Sequence, residues 1–266
     1  MLPDILRIGP LTLHSYGLML AIAFMAGIMV IERLAGPRGF DKNKIIDCTL
    51  VIMAAAIVGS RVFYVLFHLS EYRSNWWSAL TVWEGGLTFY GGVLLAVPAG
   101  MIFMRRNKLP IWPLADLISP AFALGLGFGR LGCFLNGCCF GKPSDLPWAV
   151  RFPANSAAGA LGCPLQPTQL YESLFGFALF VLLLFLIRRK FFPGFLFCLF
   201  IALYAVWRFL LDFLRHYEPS QFAALGLTNN QWVSVFLLAA SAVVGAVLSR
   251  RNAKHGAARN ARHADK

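Results

Sequence analysis

Long apolar runs, each closed by charge, proline or turn residues, recur at 12–32, 46–68, 86–104, 112–130, 169–187, 194–214 and 230–249. A helix needs about 20 mostly apolar residues to cross the hydrocarbon of a bilayer. The pattern therefore predicts an all-α polytopic membrane protein with seven transmembrane helices. Strands of a membrane barrel would alternate over about 10 residues, and FALFVLLLFLI at 177–187 is too long and uniform for that. The start, MLPDILRIGP, has neither the basic region nor the small-residue cleavage site of a secretory signal, so the first run is read as a permanent span. No internal repeat is visible. The expected organisation is one seven-span membrane domain over 1–249 and a basic, disordered tail over 250–266.

Composition agrees with a chain solvated by lipid. It is 58% hydrophobic and 14% charged, against about 45–50% and about 25% in soluble domains. A net charge of +12 could indicate nucleic acid, but the basic residues are not patterned for it. Most of the 24 Lys and Arg fall after odd-numbered runs: Arg33, Arg38, Lys42 and Lys44; Arg105, Arg106 and Lys108; Arg188, Arg189 and Lys190; and the tail. The N-terminus and the 69–85 loop hold Arg7 and Arg73 alone. By the positive-inside rule the N-terminus lies outside and the tail in the cytoplasm, near anionic lipid heads. No nucleic-acid partner is expected.

This orientation gives each polar residue a depth. Tyr16, Arg61, Tyr64, Tyr90, Arg130, Glu172, Arg208 and Asp212 all fall in the outer parts of their spans. Tyr204, Arg208, Asp212 and Arg215 share one helical face, and Arg61, Tyr64 and His68 form a second stripe. An arginine at the bilayer centre costs about 2.5–3.5 kcal/mol on insertion scales. Arg215 can snorkel to the interface and is set aside. Two readings of Arg208 are open: a structural pair with Asp212, or one wall of an outward-facing cavity lined by Arg61, Arg130 and Arg208. Several guanidinium groups in one cavity need an anion, and lipid phosphate is the most available.

GFGRLGCFLNGCCFG at 127–141 gathers the most unusual chemistry. Its glycines allow close helix approach or a backbone break that lines a cavity. Gly137 and Gly141 suit turns, and Asn136 is free to orient a phosphate or a glycerol hydroxyl. GFGRLG matches a dinucleotide fingerprint only in letters, since no βαβ unit surrounds it. Cys133, Cys138 and Cys139 run C-x4-C-C without a nearby histidine, so no metal site is expected, and no cofactor. A disulfide from Cys163 to Cys138 or Cys139 is left open; Cys48 and Cys198 read as packing residues. Trp76, Trp77, Trp83 and Trp148 read as an interfacial belt.

Six segments in order, HSYG (14–17), GSRVFYVLF (59–67), WEGGLTFYGG (83–92), GRLGCFLNGCCFG (129–141), QPTQLYE (166–172) and YAVWRFLLDFLR (204–215), resemble bacterial prolipoprotein diacylglyceryl transferases. The resemblance implies a multi-pass plasma-membrane enzyme with its site on the extracytoplasmic side. It implies transfer of the diacylglyceryl group of phosphatidylglycerol onto the lipobox cysteine of a preprolipoprotein signal peptide, with release of glycerol phosphate. It also implies that Arg130 and Arg208 are the essential arginines, with Arg130 binding phosphatidylglycerol. Tyr16, Asn136, Gly141 and Tyr204 fall on functional positions of the family. Tyr90 stands where the family often has histidine, Cys133 and Cys138 where some members have asparagine and glutamate, and Gln166 at another common histidine. A histidine base therefore does not carry over; Tyr90, Glu172 and Asp212 are the candidate proton acceptors or ion-pair partners. The alternatives are a transporter or channel for an anionic solute, and another phosphatidylglycerol head-group transferase.

Overall fold

The computed structural model describes residues 4–8, 11–72, 75–81, 86–154, 156–218 and 221–264; Arg73 and Trp83 lie outside them. A short antiparallel hairpin of β1 (Asp4–Ile8) and β2 (Leu11–His14) opens the chain. Eight helices follow among the described residues: α1 (Ser15–Ala35), α2 (Lys42–Phe67), α3 (Leu69–Tyr72), α4 (Phe89–Arg106), α5 (Ile111–Asn136), α6 (Thr168–Leu186), α7 (Phe195–Asp212) and α8 (Asn229–Ala264). Each apolar run lies mostly in a helix. The first begins at Ser15 rather than at residue 12, because Leu11–His14 is taken by β2. The helical backbone of α8 continues past its apolar run to Ala264, through the basic stretch read above as disordered.

Among the described residues, six segments are long and apolar enough to cross a membrane: Ser15–Arg38, Lys42–Phe67, Ile111–Asn136, Thr168–Leu186, Phe195–Asp212 and Asn229–Lys254. The seventh expected span, α4, is shorter. Residues 89–104 precede Arg105 and Arg106, which at about 1.5 Å per residue is about 24 Å of helix, against about 30 Å of hydrocarbon. Met25, Val58, Leu66, Val181, Phe236 and Val243 are each more than half exposed. Apolar surface of that extent is a liability in water and the natural exterior in lipid. The protein is a multi-pass helical membrane protein.

The chain divides into two compact units, Ile31–Leu114 and Met1–Val30 with Ala115–Lys266. In the first, α2 lies along α4. Small residues set the distance: a Cβ at Gly59 would stand 2.4 Å from the Gly91 carbonyl oxygen, and one at Gly91 would stand 2.4 Å from Phe63 Cβ. Association of helices in lipid rests on such backbone approach, since apolar burial gives little there. Asp41 caps α2 by accepting from the Asn43 and Lys44 amides.

In the second unit, α5, α6, α7 and α8 carry the polar residues. Asp116 of α5 caps α7 from outside its own helix, accepting from the Gly194 amide at 2.6 Å and the Phe197 amide at 2.9 Å. Four amides at a helix start lack intrahelical partners, so this carboxylate both satisfies donors and fixes α7 against α5. Ser173 of α6 donates to the Gly127 carbonyl of α5 at 2.8 Å. The 142–168 segment has a small core of its own, Phe152, Ala158 and Leu165, packed by Phe134, Phe140, Val150 and Cys163.

Candidate functional site

The end of α5 sets the geometry of the site. Gly137 takes a left-handed φ of 72°; its amide bonds the Phe134 carbonyl and the Cys138 amide bonds the Cys133 carbonyl. That pair of bonds is a Schellman termination, for which glycine is the favoured residue. Cys139 is also left-handed, at φ 62°, a conformation that costs energy for a side-chain-bearing residue and persists only where its surroundings enforce it. The first turn of α6 does so: Thr168 Oγ1 donates to the Cys139 carbonyl at 3.1 Å and Gln169 Nε2 to the Cys138 carbonyl at 2.8 Å. The chain then passes Gly141, whose amide bonds the Gln166 carbonyl at 2.9 Å and which pairs with Arg215. A Cβ at Gly141 would fall 2.7 Å from the Gln166 carbonyl oxygen, so glycine is needed there for packing. One backbone knot thus joins the ends of α5, α6 and α7.

Charged side chains converge beside this knot. Arg130 Nη2 of α5 stands 2.9 Å from Glu172 Oε1 of α6. Arg208 Nη1 of α7 stands 3.0 Å from Asp212 Oδ1 one turn on. Tyr204, also on α7, sits beside the Arg130 guanidinium and in the fields of Glu172 and Arg208, and the field of Glu172 reaches Arg208 as well. The two ion pairs therefore belong to one cluster. Glu172 and Asp212 are buried, where a carboxylate survives as an ion only if it is paired.

The two carboxylates differ in how they are held. Asp212 Oδ1 accepts from the Tyr217 hydroxyl at 2.6 Å, and Oδ2 accepts from Thr228 Oγ1 at the start of α8. Tyr217 in turn accepts from Arg208 Nη2 at 3.0 Å and Asn230 Nδ2 at 3.1 Å, which completes the one donor and two acceptors of a phenol. Burial pushes the Tyr217 phenol above the ordinary tyrosine value, so it remains a donor to Asp212. Glu172 Oε1 and Arg208 Nη1 are close to their ionic partners yet lack a directed hydrogen bond. Both atoms keep hydrogen-bonding capacity.

Tyr16 of α1 packs against Gly132 and lies in the field of Arg130 and of Cys133. Asn136 closes α5 and its side chain reaches Cys138. Of the expected trio of arginines, Arg130 and Arg208 meet in this cluster; Arg61, like Tyr90, belongs to the Ile31–Leu114 unit. There Arg61 donates from Nε to the Ala79 carbonyl at 2.8 Å, from Nη2 to Ser78 at 2.5 Å and from Nη1 to Gly86 at 3.1 Å. It also lies 5.9 Å from the Tyr64 ring, which stacks on His68. An apolar hollow of about 410 Å³ beside α2 is lined by Val62, Leu66, Trp76 and Leu80 with Arg61; it holds no acid–base pair. Tyr90 is the second residue of α4 and half exposed.

Arg215, set aside in the sequence as a snorkelling residue, is buried, lies 5.8 Å from the Tyr217 ring and faces Cys139. Its helix ends at Asp212, and after the turn at Phe213 and Leu214, which stay exposed, Arg215 is brought inward instead of continuing to the interface. Tyr217 and Thr228 were not anticipated, because both lie outside helical stripes. All six cysteines are free thiols. Cys163 packs into the small core of the 142–168 segment, while Cys133, Cys138 and Cys139 bring their sulfurs within 4.8 Å of one another.

The profile of the family described as prolipoprotein diacylglyceryl transferase matches residues 3–247. A Geobacter sulfurreducens protein named phosphatidylglycerol–prolipoprotein diacylglyceryl transferase is 40% identical over 229 residues, covering 85% of each chain. Proteins of the same name from Bordetella avium and Synechococcus elongatus are 35% identical over 261 residues and 37% identical over 221. The first covers 95% of this chain and 96% of its own length, the second 80% and 76%. The chain belongs to the prolipoprotein diacylglyceryl transferase family.

Proposed function

We propose that the protein transfers the diacylglyceryl group of phosphatidylglycerol to the lipobox cysteine thiol of preprolipoproteins, the first step of lipoprotein maturation. The observation that supports this most is the convergence of Arg130 and Arg208, from separate helices, on Tyr204 and Glu172. In the reaction the peptide sulfur bonds to the glycerol carbon that bears phosphate. The carbon–oxygen bond breaks, its electron pair leaves with glycerol phosphate, and a thioether results. The enzyme supplies orientation, stabilisation of the leaving charge and an acceptor for the thiol proton. Arg130 and Arg208 hold the phosphate, with Asn136, Gly141 and Tyr204 assisting the head group. Tyr16 acts near the reacting atoms.

Between the two buried acids, the hydrogen bonding favours Glu172 as proton acceptor. Asp212 is committed to Tyr217, Thr228 and Arg208, whereas Glu172 is released once Arg130 turns to phosphate. The reading includes α4 as a seventh span, an outside N-terminus, a single membrane domain with a basic cytoplasmic tail, and a site facing the extracytoplasmic side of the bacterial plasma membrane. Purified protein incubated with phosphatidylglycerol and a lipobox peptide is expected to raise the peptide mass by one diacylglyceryl group. Arg130→Ala and Arg208→Ala should each abolish that product while still inserting. Consumption of phosphatidylglycerol with no modified peptide would identify a different head-group transferase and overturn the proposal.

A further inference from the structure

The nucleophile of the reaction above belongs to the peptide, so that reaction does not require the enzyme's own thiols at the end of α5 to attack. Cys133, Cys138 and Cys139 are nonetheless brought within 4.8 Å of one another. C-x4-C-C is not a familiar ligand spacing, but the Schellman turn at Gly137 folds residues 138–139 back over the last turn of α5. The arrangement is fixed by backbone, with the carbonyls of Cys138 and Cys139 tied to Gln169 and Thr168 of α6. Such a cage is preorganised, as ligand sites require.

Three thiolates around one ion at about 2.3 Å lie about 4 Å apart in a trigonal plane, so closure here needs a contraction of no more than about 1 Å. The guanidinium groups of Arg130 and Arg215 stand beside the cluster and offset the negative charge of a metal–thiolate centre. No imidazole or carboxylate joins the three sulfurs within that distance among the described residues. An all-sulfur, three-coordinate set suits a soft closed-shell ion; zinc would need a fourth ligand.

We propose that Cys133, Cys138 and Cys139 form a three-thiolate site for a soft closed-shell cation, with Cu(I) the ion of choice. On binding, three sulfur–proton bonds are replaced by three sulfur–metal bonds, the protons go to solvent and no oxidation state changes. The intact protein in detergent micelles, reduced and held anaerobically with ascorbate, is titrated with Cu(I) against a chromophoric Cu(I) chelator. One ion per chain is expected to be retained, falling to none in Cys133→Ser and in Cys138→Ser, with Cys163→Ser unchanged. A second readout needs no variant: Cu(I) should slow maleimide labelling of Cys138 and Cys139, mapped by mass spectrometry, while Cys163 labels at its original rate. No retained ion, retention undiminished in both serine variants, or equal labelling of Cys138 and Cys139 with and without Cu(I) would each overturn the site.

Discussion

Arg130 is paired with Glu172, but its guanidinium keeps 18% of its side-chain surface while the carboxylate keeps 2%. A phosphate arriving at the open side competes with Glu172 for the same cation. Loss of that partner leaves the buried Glu172 carboxylate without its counter-ion, an arrangement that taking up a proton relieves. A general base contributes about 10²–10⁴ in rate. Glu172→Gln is therefore expected to lower kcat by about a hundredfold, with the KM for phosphatidylglycerol changed less. Initial rates across a phosphatidylglycerol series separate the two effects; a normal kcat with a raised KM would reduce Glu172 to an orienting role. Tyr217 is a different case, because its hydroxyl is held by Asp212, Arg208 and Asn230. Tyr217→Phe leaves buried donors unsatisfied, at about 1–3 kcal/mol. We expect a lower melting temperature in detergent and a slower transfer at unchanged pH dependence.

The elements are held by two unlike devices. Between α2 and α4 it is the lack of side chains: Gly91 sits against Phe63 and the Gly59 carbonyl with no room for a Cβ. Gly91→Val should push α4 off α2, reducing the yield of folded protein in size-exclusion profiles, whereas an exposed neighbour such as Val93→Ala should leave it intact. Between α5 and α7 it is Asp116, whose carboxylate closes the start of another helix. How much of this could be read in the sequence follows from the same contrast. Helix positions were legible, because apolar runs are a property of consecutive residues. Arg130 was legible because an arginine in such a run needs a reason, and Arg208 because Asp212 and Tyr204 share its face. Arg215 was not, because its meaning depends on α7 stopping at Asp212. Tyr217 and Thr228 act across turns, and no periodicity marks them. The three thiols looked unrelated to any site because their proximity comes from a left-handed turn, which spacing along a helix does not register.

For the molecule as a whole, the number of crossings decides on which side the chemistry takes place. If α4 did not cross, every later span would reverse direction. Arg105, Arg106 and Lys108, then Arg188, Arg189 and Lys190, then the tail would all face the side opposite to Arg33, Arg38, Lys42 and Lys44. Short loops in plasma membranes keep their basic residues on the cytoplasmic side, so six crossings would violate the rule at three places with the N-terminus outside, and at the Arg33–Lys44 cluster with it inside. With seven, every one of those clusters is cytoplasmic, and Arg130 with the 136–141 turn lies outside. The cost is the length of α4, which a locally thinner bilayer and the snorkelling of Arg105 and Arg106 can absorb at fractions of a kcal/mol per Å. That is small beside the penalty of carrying several arginines across. Reporter fusions after Arg38, Lys108 and Lys190 are therefore expected to behave alike, fluorescent as green fluorescent protein and inactive as alkaline phosphatase. Fusions after Asp145 and Glu218 should show the reverse. Phosphatase activity at Lys108 with none at Arg38 would mean that α4 stays on one side, and it would move the arginine cluster to the face where no translocated lipobox peptide can reach it.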